Sequence, residues 1–584
     1  MPNRLTYIIA GALILTLFWT AFLSMKQDSL TFDELAHIPA GYSYLTQKDY
    51  RINPEHPPLI KDLAALPLLF LNLNFPAKDH LWLQENSAPP WWVQFDLGTK
   101  FLYESGNNPR EIILWSRFPI ILLLISLGLF LFKWARELGG NYAGLAVLAL
   151  FSFSPEFIAN GRLVTTDVGA AFGAALAAYF WLKFLKEPKN LNVLWAGVFL
   201  GVALLIKFSL VLLLPFFAII TLIYALNSDQ KMANLKKYIF KFIIAGAVSL
   251  FVIWPVYQIH IWNYPIEHQV RDTIADISDN DIAPLKNLTI WMAGNPILRP
   301  VAQFFRGILM ATHRTASGNT VYFLGQISAS GWRYYFPVIY LLKVPLAFHI
   351  ITLLTIIATV ILAIKRKLAF DIKKHFTLLS FFTFLAIYWL TAINGKLNIG
   401  IRHLLPTFPF IYLLAVLILK EIMAKLPPSI KRASFVLICS LLAWYAFSSL
   451  SSFPYYISYF NQLAGGTKNG YKYAVDSNYD WGQDFYRFID FVKKNNIQKI
   501  SLDYFGGENP KYWLGDKYIK LNPREISGNL PEGFVAVSVN QLMGGVAKPV
   551  SGFDQQTGYY RWLDEYDLRA KAGNSIFIYY KKEK

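Results

Sequence analysis

The chain is organised around residues 31–61, TFDELAHIPAGYSYLTQKDYRINPEHPPLIK, which begin a few residues after the first apolar segment ends. Two adjacent carboxylates, Asp33 and Glu34, lie near the start of this stretch. Ionisable groups beside the hydrocarbon of a bilayer lose hydration, so they persist where they have a partner or a function. The pair therefore marks a candidate reaction centre.

The composition is that of a protein that crosses a membrane many times. Of the 584 residues, 55% are hydrophobic and 16% are charged, against about 25% charged residues in soluble domains. The net charge of +18 comes from short basic clusters between apolar runs, which fits membrane orientation and gives no reason to expect a nucleic-acid partner. A single cysteine, Cys439, excludes an internal disulfide and a cysteine-based metal site. Eleven segments are long and apolar enough to span: 5–23, 112–132, 142–159, 167–185, 191–206, 208–226, 239–257, 336–363, 376–393, 404–420 and 433–451.

Basic residues predict the orientation of these spans. If the spans alternate, the basic connections all fall on one side, which the positive-inside rule assigns to the cytoplasm; they include Lys133, Lys183, Lys231, Lys365 and Lys420. An odd number of spans then puts the amino terminus in the cytoplasm and the carboxyl terminus outside. We expect a multi-pass protein of the inner (plasma) membrane, with 5–23 kept as an uncleaved first helix.

The predicted fold class is an all-α polytopic membrane protein of about eleven transmembrane helices, with a small C-terminal α/β domain. Residues 1–453 form the membrane part, and its long outer loops are 24–111 and 258–335. Residues 454–584 form the domain outside the membrane, in the periplasm or the extracellular space. Its sequence has helical periodicity near 481–495 and strand-like runs at 499–505, 533–539 and 575–580.

The segment after Thr31 carries three candidate site residues. If it is a helix capped by Thr31, Asp33 and His37 share a face, and Glu34 points about a quarter turn away. Two acids at a helix start also complement the helix dipole, which is a purely structural interpretation. The position of the two acids at the membrane edge favours a role in catalysis. Asp33 and His37 could also bind a divalent metal, but two ligands alone do not define a site.

Two further pairs lie on the predicted outer side, one in the 24–111 loop and one at the start of a predicted span. His56 and Lys61 flank a Pro-Pro sequence that can stiffen the chain and open a helix, and their side chains would lie near lipid phosphates. Arg162 and Asp167 bracket a tight turn before a span with a small-residue face. An ion pair closing that turn is an equally good interpretation of Arg162 and Asp167.

Lys396, Arg402 and His403 are bases on the predicted outer side, against the general charge bias. An arginine at a span entrance suits a lipid-linked phosphate, because its planar guanidinium binds phosphate oxygens bidentately. Residues 476–484, DSNYDWGQD, contain three acids, but their spacing does not match a calcium-binding loop. We expect a turn there, with Asp480 capping the following helix.

These motifs resemble a known family. The first outer loop, with FDE followed by HPPLIK, resembles that of the protein O-mannosyltransferases, and the layout resembles the GT-C superfamily of polyprenyl-phosphate-sugar-dependent glycosyltransferases, including bacterial aminoarabinose transferases acting on lipid A. The turn from Arg162 to Asp167 is similar to that family's second acidic turn. GWRYYFPVIYLLKVPL, GIRHLLPTFPF and DSNYDWGQD also resemble bacterial members. The resemblance implies a GT-C membrane core with Asp33 as the catalytic acid residue of the DE pair.

A polyprenyl-phosphate sugar donor would need particular chemistry from these residues. The departing phosphate needs cations more than a general acid, and the candidates are Arg402, Lys396, Arg162, His56, Lys61 and His403. Asp33 is the candidate base for the acceptor hydroxyl, with inversion expected at the anomeric carbon. Glu34 would assist it, and Asp167 and His37 would position acceptor or sugar. The acceptor could be a glycan, a lipid or a protein.

Two rival functions predict different patterns. A transporter or flippase for lipids or polyprenyl-linked sugars predicts ionisable residues at mid-bilayer and a two-fold repeat of broken helices. Here the acids lie at outer span ends instead. A membrane scaffold for the soluble tail gives no reason for Asp33 and Glu34. A soluble nucleotide sugar is disfavoured as donor, because no Gly-rich nucleotide loop follows a strand.

Overall fold

Long apolar helices make up most of the chain. The computed structural model describes residues 1–85, 87–227, 230–365, 367, 370–526 and 530–581. The helices up to the large outer loop are α1 (Asn3–Met25), α2 (Glu34–Thr46), α3 (Leu59–Ala65), α4 (His80–Leu83), α5 (Val93–Thr99), α6 (Pro109–Gly139), α7 (Asn141–Ser152), α8 (Pro155–Asn160), α9 (Asp167–Lys186), α10 (Asn190–Leu204), α11 (Leu213–Leu226) and α12 (Lys231–His260). The later helices are α13 (Ile266–Asp276), α14 (Ala283–Ala293), α15 (Arg299–Ser317), α16 (Tyr335–Lys343), α17 (Leu346–Ile364), α18 (Phe376–Asn394), α19 (Phe408–Lys425), α20 (Pro428–Leu450), α21 (Phe485–Lys494), α22 (Pro510–Leu514) and α23 (Val539–Val546).

Each of the eleven predicted spans contains a helix. Among the described residues, nine helical segments are long and apolar enough to cross a membrane. The other two, α7 and α10, have 12 and 15 residues, fewer than the roughly 20 that a helix needs to cross a bilayer. The structure therefore confirms a multi-pass membrane protein. The alternation of all eleven segments, and with it the side of each terminus, stays a prediction.

Two predicted spans are divided in the structure. The span predicted at 336–363 is two helices, α16 and α17, separated at Val344 and Pro345. Proline disfavours helical geometry in the residue before it, which explains the break. The span predicted at 142–159 likewise divides into α7 and α8, where Ser154 precedes Pro155 and its side chain accepts a hydrogen bond from the N–H of Phe157.

Small residues position the start of α9. A Cβ atom on Gly169 would lie 2.4 Å from Cδ1 of Ile60, and one on Gly173 would lie 3.2 Å from Cα of Ala203. These glycines let α9 pack closely against α3 and α10. Asp167, the first residue of α9, is thereby fixed beside the first outer loop.

The C-terminal part contains the predicted α/β domain. Its strands are β3 (Ile500–Asp503), β4 (Tyr518–Lys520), β5 (Gly533–Ser538), β7 (Asp567–Ala572) and β8 (Ile576–Lys581), and they form one sheet in the order β4-β3-β5-β8-β7. β3 runs parallel to β4 and β5, whereas β8 is antiparallel to β5 and β7. Phe485 and Phe488 of α21 share a separate hydrophobic core with the sheet.

The C-terminal α/β domain, or sheet domain, contacts the membrane part in two places. In the segment between α20 and α21, Tyr456 and Trp481 are buried in the same hydrophobic cluster as the membrane helices. Lys343 at the end of α16 donates hydrogen bonds to the carbonyls of Ile457 (2.9 Å) and Asn478 (2.6 Å). In the large outer loop, β1 (Val321–Phe323) pairs with β2 (Gln326–Ser328), and β2 pairs with β6 (Lys548–Pro549) of the C-terminal part. The domain therefore has a fixed position over one end of the bundle.

Candidate active site

A cavity of about 910 Å³ lies at the end of the bundle that carries the sheet domain. Its wall is built from the first outer loop, the start of the α11 span, the end of α15, the turn between α18 and α19, and the C-terminal part. Its ionisable lining residues are Asp33, His37, Glu55, His56, Lys207, Arg314, Lys396, Arg402, His403 and Asp476. Six of these were predicted from the sequence, and they come from three separate predicted clusters.

Arg402 is the centre of the polar network at the cavity wall. Its Nη1 lies 3.0 Å from Oδ2 of Asp33 and 3.4 Å from Oδ2 of Asp167. Its Nε donates a hydrogen bond to the hydroxyl of Ser477 (3.1 Å), and its guanidinium stacks over the ring of Trp481 at 4.2 Å. Arginine is suited to this position because its planar group can bind two acids and an aromatic face together.

Asp33 differs from Asp167 in its access to the cavity. The Asp33 side chain keeps 23% of its surface exposed, whereas Asp167 is fully buried and also paired with Lys207. The helix cap predicted at Thr31 is wrong, because α2 begins at Glu34 and the residue before it is Asp33. The Asp33 side chain makes no capping hydrogen bond. Asp33 can therefore contact Arg402 and a ligand in the cavity at the same time.

Glu34 is held away from the cavity. Its carboxylate pairs with Arg117 through contacts of 2.8 and 2.6 Å and also accepts hydrogen bonds from the N–H groups of Val164 and Thr31. Burial by itself raises the pKa of Glu34, but Arg117 and these hydrogen bonds outweigh it and hold the pKa below its ordinary value. Since Glu34 has no exposed surface, its predicted catalytic role becomes a structural one: it fastens the start of α2 to α6.

Arg162 and Lys61 are also placed outside the cavity lining, against the prediction that they bind phosphate. Arg162 is fully buried and pairs with Asp28 at 2.8 Å, so it does not close the turn with Asp167 either. The Nζ of Lys61 lies within hydrogen-bonding distance of four oxygens: the hydroxyl of Tyr44, the backbone and side-chain oxygens of Asn53 and the carbonyl of His56. Burial lowers the pKa of Lys61 well below its ordinary value. Its contacts stiffen the loop that carries His56.

Three predicted histidines line the cavity. His37 and His56 meet edge to face, with ring centroids 5.1 Å apart, and Nδ1 of His37 lies 2.8 Å from the carbonyl oxygen of Val164. Burial lowers the pKa of both rings, that of His56 well below its ordinary value, so both are neutral at pH 7. The third, His403, follows Arg402, and its buried Nε2 has no hydrogen-bond partner among the described residues.

Four charged lining residues were missed by the sequence analysis. Lys207 lies between the predicted spans 191–206 and 208–226, and it pairs with Asp167. Glu55 accepts hydrogen bonds from Arg314 and from the indole N–H of Trp91, each at 2.9 Å. Asp476 belongs to the C-terminal motif. The position of Lys207 between two apolar runs was a signal by which the sequence could have revealed it. Glu55 and Arg314 are far apart in the chain, and no sequence pattern predicts that they pair.

The Asp480 cap predicted in the same motif is wrong. Its carboxylate accepts hydrogen bonds from the N–H groups of Gly482 (3.3 Å) and Asn540 (2.9 Å), and α21 begins after Asp484. Burial raises the pKa of Asp480 to about 8. Across the described ranges, no three or more His, Cys, Asp or Glu side chains are grouped so that they could bind a metal ion.

Comparison with known proteins connects part of this chain to a family. Residues 112–258 match the family model described as "Dolichyl-phosphate-mannose-protein mannosyltransferase". This quarter of the chain contains the turn from Arg162 to Asp167 and leaves the first outer loop outside. No curated protein matches the chain.

Two crystal structures of ArnT from Cupriavidus metallidurans match this chain weakly. The one bound to undecaprenyl phosphate has 10% sequence identity and a TM-score of 0.48, covering 99% of this chain and 98% of that one. The apo structure has 9% identity and a TM-score of 0.31, covering 98% and 97%. Likeness of this degree does not carry a ligand or an activity over to this chain. Residues 112–258 are thus similar to the dolichyl-phosphate-mannose-protein mannosyltransferase family, and this match agrees with the resemblance seen in the motifs.

Proposed function

We propose that the protein is an integral membrane glycosyltransferase that moves a sugar from a polyprenyl-phosphate donor to a hydroxyl acceptor. The observation that carries the proposal is the partly exposed carboxylate of Asp33 beside the guanidinium of Arg402, at the wall of a large cavity at one end of the helix bundle. An acid for the acceptor and a cation for the leaving phosphate are what such a transfer needs. The family match over residues 112–258 supports the same class of reaction.

The lining suggests where each part of the donor binds. Apolar residues at the start of the α11 span, on α15 and near the end of α18 form one side of the cavity; they include Val211, Leu212, Ile308, Ala311 and Ala392. This side suits a prenyl chain entering from the membrane. Arg402 and Lys396 lie on the adjoining polar wall and suit the phosphate, with neutral His56 as a hydrogen-bonding partner.

The reaction follows from this arrangement. Asp33 takes the proton of the acceptor hydroxyl while its oxygen attacks the anomeric carbon. The bond between that carbon and the phosphate oxygen breaks, and the electron pair leaves with the phosphate, whose charge Arg402 and Lys396 stabilise. A single displacement inverts the anomeric configuration. Asp167, neutralised by Lys207 and close to Arg402, positions the guanidinium.

The proposal includes an orientation. The cavity, the sheet domain and the carboxyl terminus face the outside of the inner (plasma) membrane, and the amino terminus faces the cytoplasm. The basic connections between spans support this orientation. The acceptor, whether glycan, lipid or protein, then meets the donor outside the cytoplasm.

The direct test is a transfer assay with the purified protein in proteoliposomes. Polyprenyl phosphates carrying a panel of hexoses, pentoses and amino sugars are offered with envelope glycolipid, glycan and protein acceptors. Sugar transfer from at least one of these lipids, accompanied by release of polyprenyl phosphate, is the expected result. Movement of the intact sugar lipid across the bilayer without cleavage of its phosphate bond would instead favour a flippase.

Replacing Lys396 with alanine is expected to weaken binding of polyprenyl phosphate about five- to tenfold at low salt. Lys396 is exposed at the cavity and makes no ion pair with any described residue, so its charge is free for a phosphate. Because salt screens exposed charges, the difference should shrink at high ionic strength. Titration calorimetry in nanodiscs measures it, with the exposed Lys511→Ala as control. Equal affinities for the two variants would remove Lys396 from the phosphate site.

A further inference from the structure

The C-terminal domain brings a carboxylate of its own to the cavity. Asp476, the first residue of the DSNYDWGQD motif, lies on the cavity wall together with Trp481 and Phe505. These residues follow the last membrane helix, α20, by more than twenty positions. The family match ends at residue 258 and includes none of them.

The backbone at Asp476 is fixed in an unusual conformation. Its φ is +56°, a left-handed value that aspartate and asparagine tolerate better than other non-glycine residues. The N–H of Asp476 donates to Oδ1 of Asn540 (3.2 Å), and its carbonyl accepts from the N–H groups of Tyr479 and Asp480. Left-handed residues held by several contacts are typical of functional sites.

The next two residues fasten Asp476 to the Arg402 segment. The hydroxyl of Ser477 donates to the carbonyl of Ile399 (2.7 Å) and accepts from Nε of Arg402 (3.1 Å). The side-chain oxygen of Asn478 accepts from the N–H of Ile401 (3.0 Å). These hydrogen bonds hold the backbone at Asp476 beside the proposed phosphate site.

No cation among the described residues, Lys396 included, forms an ion pair with this carboxylate. Arg402 is already shared between Asp33 and Asp167, Lys207 pairs with Asp167, and Arg314 pairs with Glu55. One oxygen of Asp476 accepts the N–H of Ser477 at 2.5 Å, and Oδ2 accepts no hydrogen bond from the described residues. Buried or half-buried polar atoms without partners are costly unless a ligand or water satisfies them.

We propose that Asp476 is a sugar-binding residue, whose free carboxylate oxygen accepts hydrogen bonds from hydroxyl groups of the sugar on the donor. The inference rests on the proposed glycosyl transfer. A carboxylate repels a phosphate and cannot solvate a prenyl chain, so of the three parts of the donor only the sugar suits it. Its attachment to the Arg402 segment puts it next to the phosphate, where the sugar is linked. The C-terminal domain thus helps to determine which sugar the protein accepts.

Asp476→Asn is the variant that tests this role. Asparagine has the same shape, tolerates the left-handed backbone, and keeps an oxygen that can accept the N–H of Ser477. The change removes the charge and puts an NH2 donor in the place of the free carboxylate oxygen. Asp490→Asn, an exposed aspartate on α21 in the same domain, is the matched control. Unfolding temperature and size-exclusion profile of both full-length variants should match those of the wild type.

Binding of two lipids separates the sugar contact from the phosphate contact. The probes are undecaprenyl phosphate and the same lipid carrying whichever sugar of a panel binds the wild type most tightly. We expect Asp476→Asn to bind the bare lipid as the wild type does and the sugar lipid about ten- to hundredfold more weakly, the effect of losing hydrogen bonds to a charged group. Asp490→Asn should change neither affinity.

Other outcomes overturn the inference in distinguishable ways. Equal losses for both lipids, or no loss for either, would show that Asp476 does not contact the sugar. A loss seen only in the KM for the acceptor would move the residue to the acceptor site. A wild type that gains no affinity from any sugar would overturn the sugar site and leave the lipid-phosphate donor standing, whereas a wild type that binds neither lipid would overturn the proposed function itself.

The pH dependence gives a readout that a purely structural role would not change. Burial raises the pKa of Asp476 to about 6; Arg402, the N–H of Ser477 and Arg314 counteract that rise, and Asp33 adds to it. The affinity gained from the sugar should therefore fall as the pH drops from 7.5 to 5 in the wild type and stay flat in Asp476→Asn. Burial lowers the pKa values of His37 and His56, and since both proteins keep these histidines, the difference between the two pH profiles is assigned to Asp476.

Discussion

Asp33→Asn is expected to lower the rate of sugar transfer by about 10²–10⁴-fold, the usual contribution of a positioned general base. The Asp33 side chain is partly exposed to the cavity and lies 3.0 Å from Arg402. An asparagine there keeps the size of the side chain and can still accept a hydrogen bond from Arg402, but it cannot take a proton from the acceptor. Single-turnover assays with the preferred sugar lipid measure the loss.

Binding and folding controls sharpen the Asp33 result. The affinity for undecaprenyl phosphate should change by less than about threefold, because the phosphate cations remain; this is measured by calorimetry. Asp96→Asn, on α5 of the same loop and outside the cavity lining, should transfer at the wild-type rate. A well-folded Asp33→Asn protein with near-normal transfer would remove Asp33 from the role of base.

Glu34→Gln is expected to destabilise the protein by about 3–5 kcal/mol, because it leaves the buried Arg117 guanidinium without its counter-charge. The side chains of Glu34 and Arg117 are 0% and 1% exposed, so solvent screens the pair very little. Thermal unfolding in detergent or nanodiscs measures the change. Glu111→Gln, an exposed glutamate at the start of α6, is the matched control and should cost less than about 0.5 kcal/mol.

A double variant and a pH series test the same ion pair. Glu34→Leu combined with Arg117→Met removes both charges and should recover part of the lost stability, since replacing a whole buried pair is less harmful than breaking it. Because the pKa of Glu34 lies below its ordinary 4.5, its stabilisation is present at neutral pH and lost as the pH falls through that lower value. Unchanged stability of Glu34→Gln would contradict the structural role.

The different environments of Glu34 and Asp33 could not be predicted from the sequence. Both are acids at the edge of a predicted span, and no local pattern separates them. The partner of Glu34 is 83 residues away on α6, and that of Asp33 is Arg402, at the start of another span. Whether a carboxylate is saturated by a buried cation or left facing a cavity depends on how the helices pack against each other.

The role of Asp476 in the C-terminal part likewise depends on contacts between distant segments. The motif around it resembled bacterial family members, but its three acids suggested only a turn. Its contribution to the cavity depends on the hydrogen bonds of Ser477 and Asn478 to the Arg402 segment, across more than seventy positions of the chain. Long-range contacts of this kind leave no periodic signal in a sequence.

The sequence alone determined the membrane class, the positions of the apolar helices, the small α/β domain, and the presence of site candidates in the loops and near the ends of predicted spans. These follow from local properties: hydrophobic length, periodicity and charge bias. Only the tertiary structure decided which candidates share the cavity. In the structure, Arg402 pairs with Asp33 and Asp167, and Lys207 pairs with Asp167. Three other candidates, Glu34, Lys61 and Arg162, lie in buried polar networks instead. The physical reason is that a charge in a dry interior must be paired, and its partner is fixed by three-dimensional packing.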